Sequence, residues 1–219
     1  MSEEAVDPHY GMDHYRRWVG GNWPEVQKWQ WDFINDELMA YDKDKLFLDL
    51  GCGSLRLGAR LIKTHGTGKY IGLDTNQRII DYGLNHEINP KVLEAQKPRF
   101  IISDNFDLSS LGDEKVHIVW AYSLWPHISD EKLRIGLRNI REALDDHPTS
   151  AMFSTFGGAP PAANGETEPT PNDYVYDRFQ RTFWRWEEDL EEIFAECGLS
   201  FEFRRDTIKG GRMYRSAKI

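Results

Sequence analysis

Leu46-Phe47-Leu48-Asp49-Leu50-Gly51-Cys52-Gly53-Ser54-Leu55-Arg56-Leu57-Gly58 is an apolar run that ends in an acid and two closely spaced glycines and then turns amphipathic. It reads as a buried strand, a tight turn and a helix beginning at Leu55. Glycines at 51 and 53 allow positive φ and let a ligand approach the backbone, while the following helix directs free N–H groups to the same spot. Such a turn cradles a nucleotide-type ligand. A second strand, Lys69-Tyr70-Ile71-Gly72-Leu73-Asp74, ends in another acid 23 residues after Gly51, where a carboxylate accepts hydrogen bonds from ribose hydroxyls. The two signals together imply an adenosine-bearing cofactor.

Asp49-Leu50-Gly51-Cys52-Gly53 followed by Gly72-Leu73-Asp74 resembles the first two motifs of class I S-adenosylmethionine-dependent methyltransferases. The likeness extends from strand 46–50 to a C-terminal pair of strands and so covers most of the chain beyond residue 45. Only the first motif is specific. The family's glycine triplet would place a third glycine at position 55, where this chain has Leu55 within Ser54-Leu55-Arg56. A nicotinamide-binding turn, Gly-x-Gly-x-x-Gly, would need glycine where Arg56 stands, which disfavours a dehydrogenase.

The 219 residues amount to one domain able to bury most of its surface in a single core. Hydrophobic residues make up 40% of the chain and charges are mixed rather than blocked, as in globular proteins. With 36 acids against 27 lysines and arginines, the net charge of −9 offers no field to gather nucleic-acid phosphates. Arg204-Arg205, Lys209, Arg212 and Arg215 form a local basic patch near the C-terminal strands, read as a solvated face. Cys52 and Cys197 are the two cysteines, and they supply neither a disulfide framework nor a zinc spacing. No segment has the apolar length of a membrane span or a secretion signal, so the expectation is a soluble, cytoplasmic protein with no membrane partner.

Ahead of the sheet, Val26, Trp29, Phe33 and Leu38 recur at helical spacing. Before them His9 to Gly21 is rich in rings and cations but poor in aliphatics, which suits a lid over a cofactor. From Leu46 strands and helices alternate, with strands at 46–50, 69–74, 99–103, 116–121 and 150–156, and helices from Leu55, from Gln77 and over 130–144. Gly157 to Asp173 is too rich in proline and glycine for a regular element and reads as a long loop, either a substrate lid or a surface excursion. Trp186 to Leu199 carries an acidic first turn, an apolar stripe and a closing glycine, the marks of a helix. Phe201-Glu202-Phe203, the turn Gly210-Gly211 and Met213 to Ile219 then read as an antiparallel pair. The expected fold is α/β, a Rossmann-like, doubly wound, seven-stranded and mostly parallel sheet with a C-terminal antiparallel hairpin. Residues 1–45 form an N-terminal helical lid and residues 46–219 the methyltransferase domain.

The resemblance places cofactor contacts at Asp49, Gly51, Cys52, Gly53, Ser54 and Arg56 in the first turn. It adds Asp74, Thr75 and Asn76 after the second strand, Asp104 and Asn105 after the third, and Tyr122 and Ser123 after the fourth. Asp49 would help orient the cofactor's amino group. Asp74 would hold the ribose, with Thr75 and Asn76 behind it open as a helix cap as well. Asp104 is either an adenine contact or a turn former. Arg56, a cation in a first helical turn, meets either the cofactor's carboxylate or a surface acid.

Methyl transfer needs alignment and, for some acceptors, removal of a proton. His127, beyond the fourth strand in Trp120-Ala121-Tyr122-Ser123-Leu124-Trp125-Pro126-His127, is the candidate general base, with a packing role as its alternative. The histidines lack metal-ligand spacing, so no metal is expected. Trp184, Trp186, Phe179 and Phe183 form an aromatic cluster read as core. The leading function is S-adenosylmethionine-dependent methylation of a small molecule. A cofactor-binding protein without turnover, or methylation of a protein or nucleic acid, are the other readings, and nothing in the pattern fixes the oligomeric state.

Overall fold

The computed structural model describes residues 23–37, 42–156, 176–177, 182–183, 185–208 and 211–219. Helix α1 (Trp23–Glu37) precedes strand β1 (Leu46–Leu50), and α2 (Gly58–Thr64) leads to β2 (Tyr70–Asp74). Helices α3 (Gln77–His86) and α4 (Pro90–Gln96) lead to β3 (Arg99–Ile102), and β4 (Val116–Ala121) is joined by α5 (Asp130–Ala143) to β5 (Ala151–Phe156). Helix α6 (Glu187–Glu196) and the hairpin strands β6 (Glu202–Asp206) and β7 (Arg212–Ser216) complete a seven-stranded sheet of order β3-β2-β1-β4-β5-β7-β6. The first five strands are parallel, and β7 runs antiparallel between β5 and β6. Tyr176–Asp177 and Thr182–Phe183 pair in a separate two-residue ladder.

Side chains alternate along β1, so Leu46, Leu48 and Leu50 enter one core while Phe47 enters the other. The first core holds Leu133, Leu137 and Ile140 of α5 with Leu190, Ile193 and Phe194 of α6. In the second, Phe33 and Ile34 of α1 meet Leu61 and Ile62 of α2 with Trp120 and Phe153 of the sheet. Helix α1 thus shares a core with the sheet. Its last turn is held from the hairpin side, because Arg204 and Arg205 donate to Glu37 at 2.6 and 2.8 Å and Arg205 lies over the Phe33 ring. Arg212 pairs with Glu187 at 2.5 Å, so these arginines of the basic patch are matched by acids rather than presented as a free basic face.

Helix α2 begins three residues later than the expected Leu55. Leu55 has φ +64, the left-handed conformation that the missing glycine would supply, and a residue in that region cannot start a helix. The conformation costs about 1–3 kcal/mol, and complete burial of the leucine side chain, worth about 1.5–3 kcal/mol, offsets it. Helix α4 carries a start signal that the strand and helix alternation passed over: Asn89 accepts from Lys91 N at 2.9 Å and Pro90 takes the first position. The expected lid at residues 9–21, the loop at 157–173, and Phe179 and Trp184 lie outside the described residues.

At the amino ends of β4 and β5, His117 is buried between the Ser150 hydroxyl, 2.9 Å from Nδ1, and the Thr149 hydroxyl, 3.0 Å from Nε2. Burial, then the neighbouring His147, holds its imidazole below the ordinary histidine range. The unfolded chain therefore takes up this proton first, so the stability His117 contributes is complete above about pH 6.5 and is lost as the pH falls. The urea midpoint should drop between about pH 7 and pH 5, and less steeply in His117→Asn. Parallel declines in the two proteins would remove His117 from the account.

Candidate active site

Strand order reverses at β1, with β2 on one side and β4 on the other, and the crevice outside the carboxyl ends of such strands is where open α/β sheets bind ligands. A cleft of about 370 Å³ opens there. Its floor is the glycine turn. Gly51 N and Cys52 N both donate to Leu73 O, at 2.7 and 3.1 Å, which ties the end of β1 to the end of β2. Gly51 has φ +66, and a Cβ there would stand 3.1 Å from Leu124 Cδ1 across the cleft. Behind the turn, Gly83 of α3 lets the helix close on Ser54, since a Cβ would come within 2.6 Å of the Ser54 carbonyl.

Asp74 organises this floor. One carboxylate oxygen accepts from Gly53 N and the other from Asn76 N, each at 3.0 Å. Asp49, one residue short of the end of β1, is 5% exposed and accepts from the Tyr70 hydroxyl at 2.8 Å. Burial pushes its carboxyl up to about 7 against the opposing pull of Tyr70 and Arg56, and the Asp74 charge adds to the rise. The Arg56 guanidinium is held below its ordinary value by burial, which the Tyr122 and Asp49 charges partly reverse, and it stands 5.5 Å from the centroid of the Tyr122 ring. Cys52 is pushed well up by burial and by the two acids, which favours its thiol form.

Of the residues expected at the site, Asp49, Gly51, Cys52, Gly53, Arg56, Asp74, Tyr122, Ser123 and His127 line the cleft together. Ser54 is buried behind the turn. Thr75, Asn76, Asp104 and Asn105 follow β2 and β3 at the same edge but are not in the lining. Asn76 caps α3 by accepting from Arg78 N at 3.1 Å. Asp104 faces Lys132 at 3.6 Å, and Asn105 accepts from the Ser103 hydroxyl at 2.8 Å. Ser123 has φ +58 and donates its N–H to Thr155 at 2.5 Å, a strained backbone held at the cleft.

Sequence reasoning missed Gln30. It is 2% exposed on α1 and lines the cleft, and its Oε1 has no hydrogen-bond partner among the described residues. The available signal was a glutamine on the helix face that carries Val26 and Phe33, where a core residue was due. Gln27 on the same helix donates to the Arg56 carbonyl, so α1 is tied to the glycine turn directly.

Residues 47–147, which hold the glycine turn, Asp74 and His127, match the family described as methyltransferase domain. Over these residues the chain is similar to a methyltransferase domain. No curated protein matches the chain in sequence. Among solved structures it is similar to the magnesium protoporphyrin IX methyltransferase ChlM from Synechocystis PCC 6803 with bound SAM, at 15% identity over 100% of both chains and a TM-score of 0.63. It is also similar to the CcbJ methyltransferase from Streptomyces caelestis, at 14% identity over 94% of this chain and 95% of the other, with a TM-score of 0.65. A third likeness is to an S-adenosylmethionine-dependent methyltransferase from Clostridium acetobutylicum ATCC 824, at 13% identity over 94% and 96% of the two chains, with a TM-score of 0.62. At these identities the likeness is one of fold. The chain keeps that fold with Leu55 in the left-handed position.

Proposed function

We propose that the protein transfers a methyl group from S-adenosylmethionine to a small-molecule acceptor. The observation that carries this reading is the Asp74 carboxylate, fixed by Gly53 N and Asn76 N at the lip of a glycine turn that keeps a cleft open at a strand switch point. The residues fit the cofactor in kind. A Cβ at Gly51 would crowd the cradle, the Gln30 oxygen is a buried acceptor with no donor among the described residues, and Asp49 beside Arg56 offers a carboxylate to an ammonium group. The cofactor supplies an activated methyl on a sulfonium.

The chain's own residues then divide the work. The glycine turn, Asp49 and Arg56 hold the amino-acid end, Asp74 the ribose, and the wall of Trp120, Tyr122 and Leu124 limits water at the reacting centre. His127 at the rim takes the proton of an acceptor hydroxyl or amine as that atom attacks. The acidic surface, whose arginines at the hairpin are already paired, favours a small acceptor over a nucleic acid. Similar structures include the magnesium protoporphyrin IX methyltransferase, which agrees with that choice.

Calorimetric titration with S-adenosylhomocysteine tests the reading. One site is expected, and affinity should tighten between about pH 6 and pH 8, because a cation needs Asp49 ionised and its carboxyl sits near 7 in the ligand-free protein. Asp49→Asn should flatten that dependence. Absence of binding across this range would refute the proposal.

A further inference from the structure

Arg185 lies at the end of the segment that leads from β5 to α6, one residue before the Trp186 cap, and its side chain is 6% exposed. Among the described residues, all three guanidinium nitrogens donate to one short stretch of chain. Nε donates to Asp130 Oδ1 at 2.7 Å, Nη1 to the Trp125 carbonyl at 3.0 Å, and Nη2 to the Ile128 carbonyl. That stretch is the turn of a 3₁₀ helix, Trp125–His127, together with the start of α5. Within the turn, His127 N donates to Leu124 O at 3.0 Å and Ile128 N to Trp125 O at 3.1 Å, so the carbonyls that Arg185 holds bracket His127. Leu124, at the head of the turn, is the side chain facing Gly51 across the cleft.

Burying a guanidinium costs several kcal/mol unless the geometry around it is complete. Among the described residues one carboxylate and two carbonyls surround it, and the planar fork that reaches three acceptors at once is available to arginine and not to lysine. Trp125 is fully buried against Phe106, which fixes the turn's inner side, while Arg185 fixes its outer side. We infer that Arg185 is a positioning residue that sets where His127 and Leu124 stand over the cleft, and that it ties the segment entering α6 to the acceptor side of the site. The functional consequence rests on the methyl-transfer reading above, but the placement of the turn is measurable without turnover.

The test uses the full chain with Arg185→Ala and Arg185→Lys. Hydrogen exchange of amides 124–130 should accelerate by at least about tenfold in both, with β1, β2 and the hairpin unchanged. Ethylguanidinium at about 10 mM should restore protection in Arg185→Ala and leave Arg185→Lys as it is. The His127 Cε1–H resonance, assigned through His127→Asn, should respond to S-adenosylhomocysteine in the parent and lose that response in both variants. Ethylguanidinium should return it in Arg185→Ala. If Arg185→Ala does not fold, the local acceleration and lost response in Arg185→Lys carry the test. Exchange that rises evenly through the domain, or an unchanged His127 response, would overturn the inference. A parent that fails to bind S-adenosylhomocysteine refutes the methyl-transfer reading instead, and the exchange pattern still decides whether Arg185 places the turn.

Discussion

Gly51→Val is expected to abolish the thermal stabilisation that S-adenosylhomocysteine gives the parent. The backbone at this position has φ +66, where a β-branched residue carries strain of about 1–3 kcal/mol. Its Cβ would stand 3.1 Å from Leu124 Cδ1, and the two further methyl groups have only the cleft or Leu124 to enter. Strain lowers the melting temperature of the ligand-free variant by a few degrees. Loss of the ligand-induced rise is the separate effect, read as the difference between scans with and without ligand. Gly51→Ala, with one methyl and no β-branching, should keep part of that rise. If Gly51→Val is stabilised by ligand as much as the parent, the turn is not the binding site.

The strength of this prediction comes from a stretch that local chemistry fully determines. The run from Leu46 to Gly53 reads correctly because burial on both sheet faces demands apolar residues on alternate sides, and Gly51 and Gly53 adopt the positive φ that their sequence allows. The same logic finds Asp74 at the end of β2, whose backbone partners lie within a few residues or across one parallel pair. It fails at Leu55, where tertiary burial overrides a backbone preference.

Features that depend on distant partners were illegible. Arg204 and Arg205 look like a free basic patch until the fold brings them to Glu37, 167 and 168 residues away in the chain. Arg185 has no local signal, since its three acceptors lie 55 to 60 residues back. Gln30 was hidden for a related reason: a polar residue on an apolar helix face has meaning only once the opposite wall of the cleft is known. Motif reading therefore reaches the glycine turn and Asp74 more readily than the opposite wall of the cleft, to which α1 contributes Gln30 and the turn after β4 contributes Leu124.

Asp74→Ala should weaken S-adenosylhomocysteine binding by at least about a hundredfold. Hydrogen bonds to a charged group are worth about 1.5–3 kcal/mol each, and two of them to ribose hydroxyls amount to about two to four powers of ten in affinity. A second loss adds to the first. The carboxylate also holds Gly53 N and Asn76 N at 3.0 Å, so without it two backbone donors are released and the glycine turn loses its tie to the end of β2. Asp74→Asn is not a neutral replacement, because whichever backbone N–H meets the side-chain NH₂ faces another donor. It should fall between the parent and the alanine variant. A ligand lacking the ribose 2′-hydroxyl separates the two losses: it should bind the parent more weakly than the full ligand does, while Asp74→Ala should bind the two almost alike, as expected when one group carries both effects. Titrations of both ligands against both proteins measure this coupling. If the deoxy ligand is penalised equally in parent and variant, Asp74 acts on the turn alone and the ribose contact must be sought elsewhere in the cleft.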